Sequence, residues 1–285
     1  MQLEGKRALI TGAGSGIGRA LAIEASHRGV AVALTGRRRE ALEATRSQLA
    51  RSAARSTNCL ILPADITDGA ARRSLKALVA AEWGGLDILI NNAGIVLAGP
   101  LATLADAELE RMMATNLIAP LALTREFLPL LSAGTGSGQK GRVVNVGSVF
   151  GDIAFPLFAA YSASKFGLRG FSTALRRELA DLGVGVTYAA PRGTRTEATP
   201  AMERFVEPLA MKLDDPETVA IQIWDAVLRD ADSVYPRGPE RLFVLIERLF
   251  PRIVGSALAK QLKQGGLGRL AAESISDVSI PDVSR

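Results

Sequence analysis

The 285-residue sequence predicts a single doubly wound α/β domain, a parallel sheet with helices on both faces, followed by a helical C-terminal extension. Three observations carry this. Short apolar runs recur along the chain without alternating polar residues, so both faces of each strand are covered, as in a parallel sheet sandwiched by helices. Segments with apolar residues at helical spacing lie between those runs. A glycine cluster, Thr11-Gly12-Ala13-Gly14-Ser15-Gly16-Ile17-Gly18, separates the first run from the first helical segment.

Taken in order, Arg7 to Thr11 is the first strand. Ile17 to Arg28 is a helix with Ile17, Leu21 and Ala25 on one face. Val30 to Thr35 is the second strand, and Arg38 to Ala54 a helix rich in Ala, Arg and Glu. Cys59 to Pro63 is a strand, Ala70 to Glu82 a helix and Asp87 to Asn91 the fourth strand. Asp106 to Leu131 is mostly helical, with kinks expected at Pro120 and Pro129. A Gly/Ser loop from Ala133 to Gly141 precedes the strand Arg142 to Val146, the helix Ala159 to Leu182 and the strand Gly185 to Ala190. Pro191 to Asp214 has no clean period and is expected to be mobile; Pro216 to Arg229 is helical, and Ser233 to Tyr235 a last short strand. Residues 1–235 form the dinucleotide-binding and catalytic unit of this reading, 236–270 an amphipathic helical extension, and 271–285 a polar tail expected to be disordered.

Hydrophobic residues make up 48% of the chain and charged residues 22%, which excludes a disordered chain. The net charge is +5, and the segment Pro236 to Leu270, with seven Lys and Arg against two Glu, accounts for all of it. A basic surface spread over the domain, as nucleic acid would require, is therefore absent. One cysteine, Cys59, excludes an internal disulfide and suits a reducing, cytoplasmic compartment. No signal-peptide pattern and no bilayer-length apolar run is seen.

The glycine cluster sits where a phosphate loop belongs. Glycines let backbone N–H groups approach a pyrophosphate, and the helix N-terminus behind them adds partial positive charge. Tyr161 and Lys165 are four residues apart on one helix, so they share a face. An ammonium beside a phenol favours the phenolate and is expected to lower the tyrosine's pKa, fitting Tyr161 for proton exchange.

The spacing T-G-x-x-x-G-x-G at Gly12, Gly16 and Gly18, Asn91-Asn92-Ala93-Gly94 after the fourth strand, Ser148 after the fifth, and Tyr161-x-x-x-Lys165 stand together in the order found in the short-chain dehydrogenase/reductase family. The sequence resembles that family over roughly residues 5 to 235. The resemblance implies a Rossmann sheet, a nicotinamide cofactor and hydride transfer between a carbonyl and an alcohol. It implies catalytic roles for Asn116, Ser148, Tyr161 and Lys165, with Asn116 holding a water that links Lys165 to solvent. Cofactor contacts are expected from Gly12, Ser15, Gly16, Ile17, Gly18, Asn92, Ala93, Gly94, Tyr161, Lys165, Pro191, Thr194 and Thr196, with Asp65 and Ile66 framing the adenine. A non-catalytic dinucleotide sensor or a membrane-peripheral scaffold on the same fold is the rival reading; the intact catalytic set speaks against it.

At the end of the second strand, where NAD-specific members place an acidic residue, stand Gly36 and Arg37. Arginine pairs well with phosphate, so NADP is expected over NAD, with Arg37 on the 2′-phosphate. The family's P-G-x-x-x-T reads Pro191-Arg192-Gly193-Thr194-Arg195-Thr196 here, and Arg192 in place of glycine is expected to alter that loop's backbone. Arg237 to Leu262 is unusual for the family. It has a dense apolar face with Arg241, Arg248 and Arg252 on a polar stripe, and Pro251 splits it into two helices. Such a segment can be a packed helix or subunit contact, a lid over a bulky apolar substrate, or a contact with a membrane surface. The expected partners are a small carbonyl or alcohol substrate and further copies of the chain, as a homodimer or homotetramer; no metal and no nucleic acid is expected.

Overall fold

The computed structural model describes residues 2–52, 58–133, 141–196, 203–207 and 211–264. The expected polar tail, residues 265–270 of the extension and most of the Gly/Ser loop lie outside them. Seven parallel strands form one sheet in the order β3-β2-β1-β4-β5-β6-β7. They are β1 (Arg7–Thr11), β2 (Ala31–Gly36), β3 (Cys59–Pro63), β4 (Ile88–Asn91), β5 (Arg142–Val146), β6 (Gly185–Ala189) and β7 (Ser233–Val234). Helices α1 (Gly16–His27), α2 (Arg39–Ser52), α3 (Gly69–Trp83), α4 (Asp106–Met113), α5 (Ala119–Ser132), α6 (Ala159–Glu178), α7 (Glu203–Val206) and α8 (Pro216–Leu228) connect them.

The unbroken apolar runs have a simple cause. Ala8, Ile10, Ile88, Ile90, Val144 and Val146 pack into one core with α1 and α8, through Leu21, Ala25, Ile223 and Trp224. Their neighbours Leu9, Leu89 and Val143 point the other way, against Val79 of α3, Phe127 of α5 and Leu175 of α6. Each strand residue thus has a helix layer to bury in, at roughly 25 cal/mol per Å² of apolar surface removed from water. The buried Trp224 indole donates to the Leu21 carbonyl at 2.9 Å, which fixes α8 against α1.

The order of strands reverses at β1, whose neighbours are β2 and β4. In such sheets the crevice beyond the carboxyl ends of the strands at that point takes the ligand.

Two expectations change. The long helix from Asp106 is interrupted before its prolines, by one π turn at Ala114–Ile118, and Pro120 falls in the first turn of α5. The helix from Ala159 stops at Glu178 rather than Leu182, because Gly183 takes a positive φ of 66° and Val184 N–H returns to the Leu179 carbonyl. Residues 197–202 and 208–210 of the segment from Pro191, expected to be mobile, lie outside the described residues; in the rest, Thr194 bridges Asp214, and Arg192 Nη2 pairs with Asp214 at 2.6 Å.

The C-terminal segment forms α9 (Glu240–Leu249) and α10 (Pro251–Gln264), broken at Pro251 as its missing N–H and fixed φ demand. Among the described residues no helix is long and apolar enough to cross a membrane.

Candidate active site

A cleft of about 730 Å³ opens at the carboxyl ends of β1, β4 and β5. Its first wall is the glycine loop. Thr11 closes β1 and braces the loop after β4: its Oγ1 accepts from the N–H groups of Asn92 and Ala93, both at 2.9 Å, and Asn92 Nδ2 donates to the Thr11 carbonyl at 2.9 Å. Gly12 and Gly16 have φ of 67° and 49°, open to glycine at little cost. Space is as tight as conformation, since a Cβ on Gly16 would lie 2.8 Å from Thr196 Cγ2.

Ser15, Gly16 and Ile17 line the cleft at the N-terminus of α1, where backbone N–H groups and the helix dipole favour a phosphate. Arg37, Asp65 and Ile66 line the far end, with Asn92, Ala93 and Gly94 in the middle and Pro191, Thr194 and Thr196 opposite. Gly18 does not line the cleft. It is buried behind the loop, where a Cβ would come 2.1 Å from the Gly12 carbonyl oxygen, so its part is to let α1 pack under the loop. The phosphate-binding helix end, the glycine cradle and the basic far end fit a dinucleotide laid across the switch point.

Ser148, Tyr161 and Lys165 meet at the inner end. Ser148 caps a short 3₁₀ turn, Val149–Gly151, and its Oγ accepts from the Phe150 N–H at 3.1 Å. Tyr161 and Lys165 project from the first two turns of α6. Lys165 Nζ donates to the Val146 carbonyl at 3.1 Å and lies 5.6 Å from the Tyr161 ring centre. Burial pushes the Tyr161 phenol up to about 12, and a hydrogen bond with Ser148 offsets only part of that. Burial likewise pushes the Lys165 ammonium down to about 8. The spacing argument predicted a lowered phenol. It fails because the protein around the pair disfavours both charged forms, and that outweighs their mutual attraction.

Asn116 is buried behind the cleft wall, within the π turn. Its Oδ1 accepts from Ile95 N–H at 2.8 Å, and Nδ2 donates to the Ile95 carbonyl at 2.9 Å and to Ser164 Oγ at 3.1 Å. Pro120, four residues on, has no N–H, so the Asn116 carbonyl has no α-helical donor. A π turn at such a place is common at functional sites. Gly94 makes room for this group, since a Cβ there would sit 3.2 Å from Asn116 Oδ1 and 3.6 Å from Lys165 Nζ.

Sequence reasoning missed several supporting residues. Tyr188 of β6 lies under the Ser148 turn, donating to the Ser148 carbonyl at 3.1 Å, and Gly147 is glycine because a Cβ would strike that ring at 2.3 Å. Arg38 lines the cofactor end beside Arg37, a signal present in the run Arg37-Arg38-Arg39. Arg192 keeps a negative φ, so the loop is not distorted as expected. Instead its guanidinium joins Asp214 to Glu240 of α9. Buried Asp152 in turn gathers Arg169, Tyr235 at 3.1 Å and Arg248 of α9 at 3.1 Å.

A doubly wound sheet with a glycine cradle at its switch point and a serine, tyrosine and lysine at the cleft's inner end defines a nicotinamide-dinucleotide oxidoreductase. The family model described as short chain dehydrogenase matches residues 6–206, and the chain belongs to that family. It is 32% identical over 244 residues to the 3-oxoacyl-(acyl-carrier-protein) reductase FabG of Vibrio cholerae, covering 84% of this chain and 95% of the relative. A short-chain dehydrogenase from Sphingobium yanoikuyae in complex with NADPH superposes with a TM-score of 0.74 at 25% identity, over 87% of this chain and 95% of that one. A Burkholderia phymatum short chain dehydrogenase/reductase in complex with NAD shares the fold, with a TM-score of 0.79 at 22% identity over 89% and 96% of the two chains. The chain is thus an NAD(P)-dependent dehydrogenase/reductase.

Proposed function

We propose that the enzyme uses NADP(H) to reduce the carbonyl of a bulky apolar substrate, or to oxidise the corresponding secondary alcohol, within residues 1–235. The observation that carries the reading is that Tyr161, in the cleft, packs on an apolar cluster. Val96, Val149, Phe150 and Met211 of that cluster also line the cleft. Phe150 stacks on Phe155 at 5.0 Å, meets Phe158 edge-on at 5.1 Å, and Phe158 meets Phe205 at 5.5 Å. An apolar body beside the reacting carbon suits such walls.

In this mechanism the bound nicotinamide supplies the hydride. Tyr161 gives its hydroxyl proton to the substrate's carbonyl oxygen as the new C–H bond forms, and Ser148 Oγ hydrogen-bonds and orients the same oxygen. The buried phenol, up at about 12, stays protonated at neutral pH, which suits donation and therefore reduction. Lys165 stabilises the phenolate left behind, and Asn116 holds the water through which the proton is replaced. Cys59, alone and with its thiol pushed up to about 11 by burial, takes no part and fits a cytoplasmic protein. Ile118 of the π turn and Phe166 of α6 expose apolar side chains, which supports assembly as a homodimer or homotetramer.

A panel of aliphatic ketones, steroids, acyl thioesters and sugars, followed by NADPH absorbance, tests the substrate class. Acyl thioesters belong in it because of the substrate named for the Vibrio relative. Turnover should rise with apolar bulk; a preference for sugars would overturn the apolar assignment.

Arg37 and Arg38 at the end of β2, with no acidic residue there, favour NADP. Arg37→Ala should weaken NADPH binding roughly tenfold or more, as expected when a charge-assisted contact is lost, and leave NADH nearly unchanged. Equal losses for both cofactors in titration calorimetry would remove Arg37 from the 2′-phosphate.

A further inference from the structure

Helix α9 sits on the protein the wrong way round for a helix in water. Glu240, Val244 and Arg248 recur every four residues and so share one face. That face is turned inward: Glu240 pairs with Arg192, Val244 is 4% exposed, and Arg248 Nη2 reaches the buried Asp152 carboxylate at 3.1 Å. The opposite face carries Leu242, Leu245, Leu249 and Phe250, each more than half exposed at 56%, 51%, 62% and 57%, and Ile253 of α10 continues it at 61%. A helix normally buries its apolar stripe and solvates its charges. Here charge–charge contacts hold the helix to the body and leave the apolar stripe facing outward.

Glu240 and Glu247, the acidic residues of α9, are only partly exposed, whereas every exposed ionic group of α9, α10 and their approach is basic: Arg237, Arg241, Arg248, Arg252, Lys260 and Lys263. An apolar face rimmed by cations is the pattern of a helix lying in the boundary of an anionic bilayer. A second copy of the chain is a poorer occupant. A two-fold contact through this face would set the same basic rim against itself, at a repulsive cost.

We propose that α9 and α10 form a docking surface for an anionic lipid membrane, with the apolar stripe in the acyl boundary and the basic rim among the headgroups. The surface adjoins the substrate end of the cleft, since Leu262 of α10 packs on the Phe150–Phe158 cluster that also touches Tyr161. An apolar substrate dissolved in the bilayer would therefore have a short way to the site. The docking itself is independent of cofactor choice and of the reaction.

Cosedimentation of the full-length chain with vesicles tests this. Phosphatidylcholine vesicles containing phosphatidylserine should pellet the protein at least roughly tenfold better than phosphatidylcholine alone, and high salt should release it. Leu249→Glu with Phe250→Ser should abolish pelleting with an unchanged thermal midpoint, since both side chains face outward. Arg241→Glu with Arg252→Glu, which leaves the apolar stripe alone, should remove the preference for phosphatidylserine. Protein that stays in the supernatant with anionic vesicles overturns the proposal. So does equal binding to both lipids, or light scattering in which the Leu249→Glu, Phe250→Ser pair splits an oligomer, because a second copy is then the occupant.

Discussion

Tyr161→Phe is expected to reduce kcat to about 1% of wild type or less, because a positioned acid–base group contributes roughly 10²–10⁴-fold. NADPH affinity should be preserved. The substitution removes one hydroxyl and keeps the ring, which meets Phe150 edge-on at 6.2 Å, so the apolar cluster keeps its shape. Ser148 does not depend on that hydroxyl for its position. Its Oγ is held by the Phe150 N–H at 3.1 Å, and its backbone carbonyl by Tyr188 at 3.1 Å. A loss of rate therefore reports the missing proton donor and not a collapsed site. Stopped-flow mixing of the variant with NADPH and ketone should show binding without hydride transfer. Retention of more than about a tenth of kcat would take Tyr161 out of the proton step.

The parts of this site that were legible in the sequence are those set by local geometry. Tyr161 and Lys165 share a face because any helix brings positions four apart together. The glycine loop announces itself because a strand, a tight turn and a helix start each leave a local mark. The parts that were not legible depend on contacts between distant segments. Nothing around Asn116 signals a π turn, since its neighbours suit a regular helix; only Pro120, read against the carbonyl four residues before it, gives a hint. Tyr188 sits in an apolar strand and gains its role from Gly147 and Ser148, some forty residues earlier. The orientation of α9 was hidden for the same reason. Its apolar pattern argues for burial, but Arg192 and Asp152 bind its charged side instead. The direction of the Tyr161 shift depends on how much protein surrounds the pair, which spacing does not encode.

Lys165→Met is expected to abolish turnover and, at neutral pH, to make the protein more stable relative to wild type than it is in alkali. The lysine's pKa is about 8 in the folded protein against 10.5 for an ordinary lysine. A lowered lysine pKa means that the unfolded chain binds the proton more tightly, so keeping Lys165 charged in the fold costs stability. The cost is full below about pH 8, and wild-type stability is regained as pH rises from there towards 10.5, where both states are neutral. The difference of the two values corresponds to about 3 kcal/mol at neutral pH, falling below about 1 kcal/mol near pH 10. Methionine removes this term and also removes the bond to the Val146 carbonyl, whose pH-dependent part is already contained in the shifted pKa. Tyr161, raised to about 12, contributes the opposite slope, losing stability above about pH 10 as the unfolded phenol ionises first, and it does so in both proteins. Urea midpoints of wild type and variant at about pH 7 and about pH 10 separate these effects, and the gap between the two proteins should shift by roughly 2 kcal/mol towards wild type. A gap that does not move would mean that the Lys165 ammonium is well solvated. An inactive variant that is also relatively more stable at neutral pH would show that the fold carries a buried charge for the sake of its chemistry.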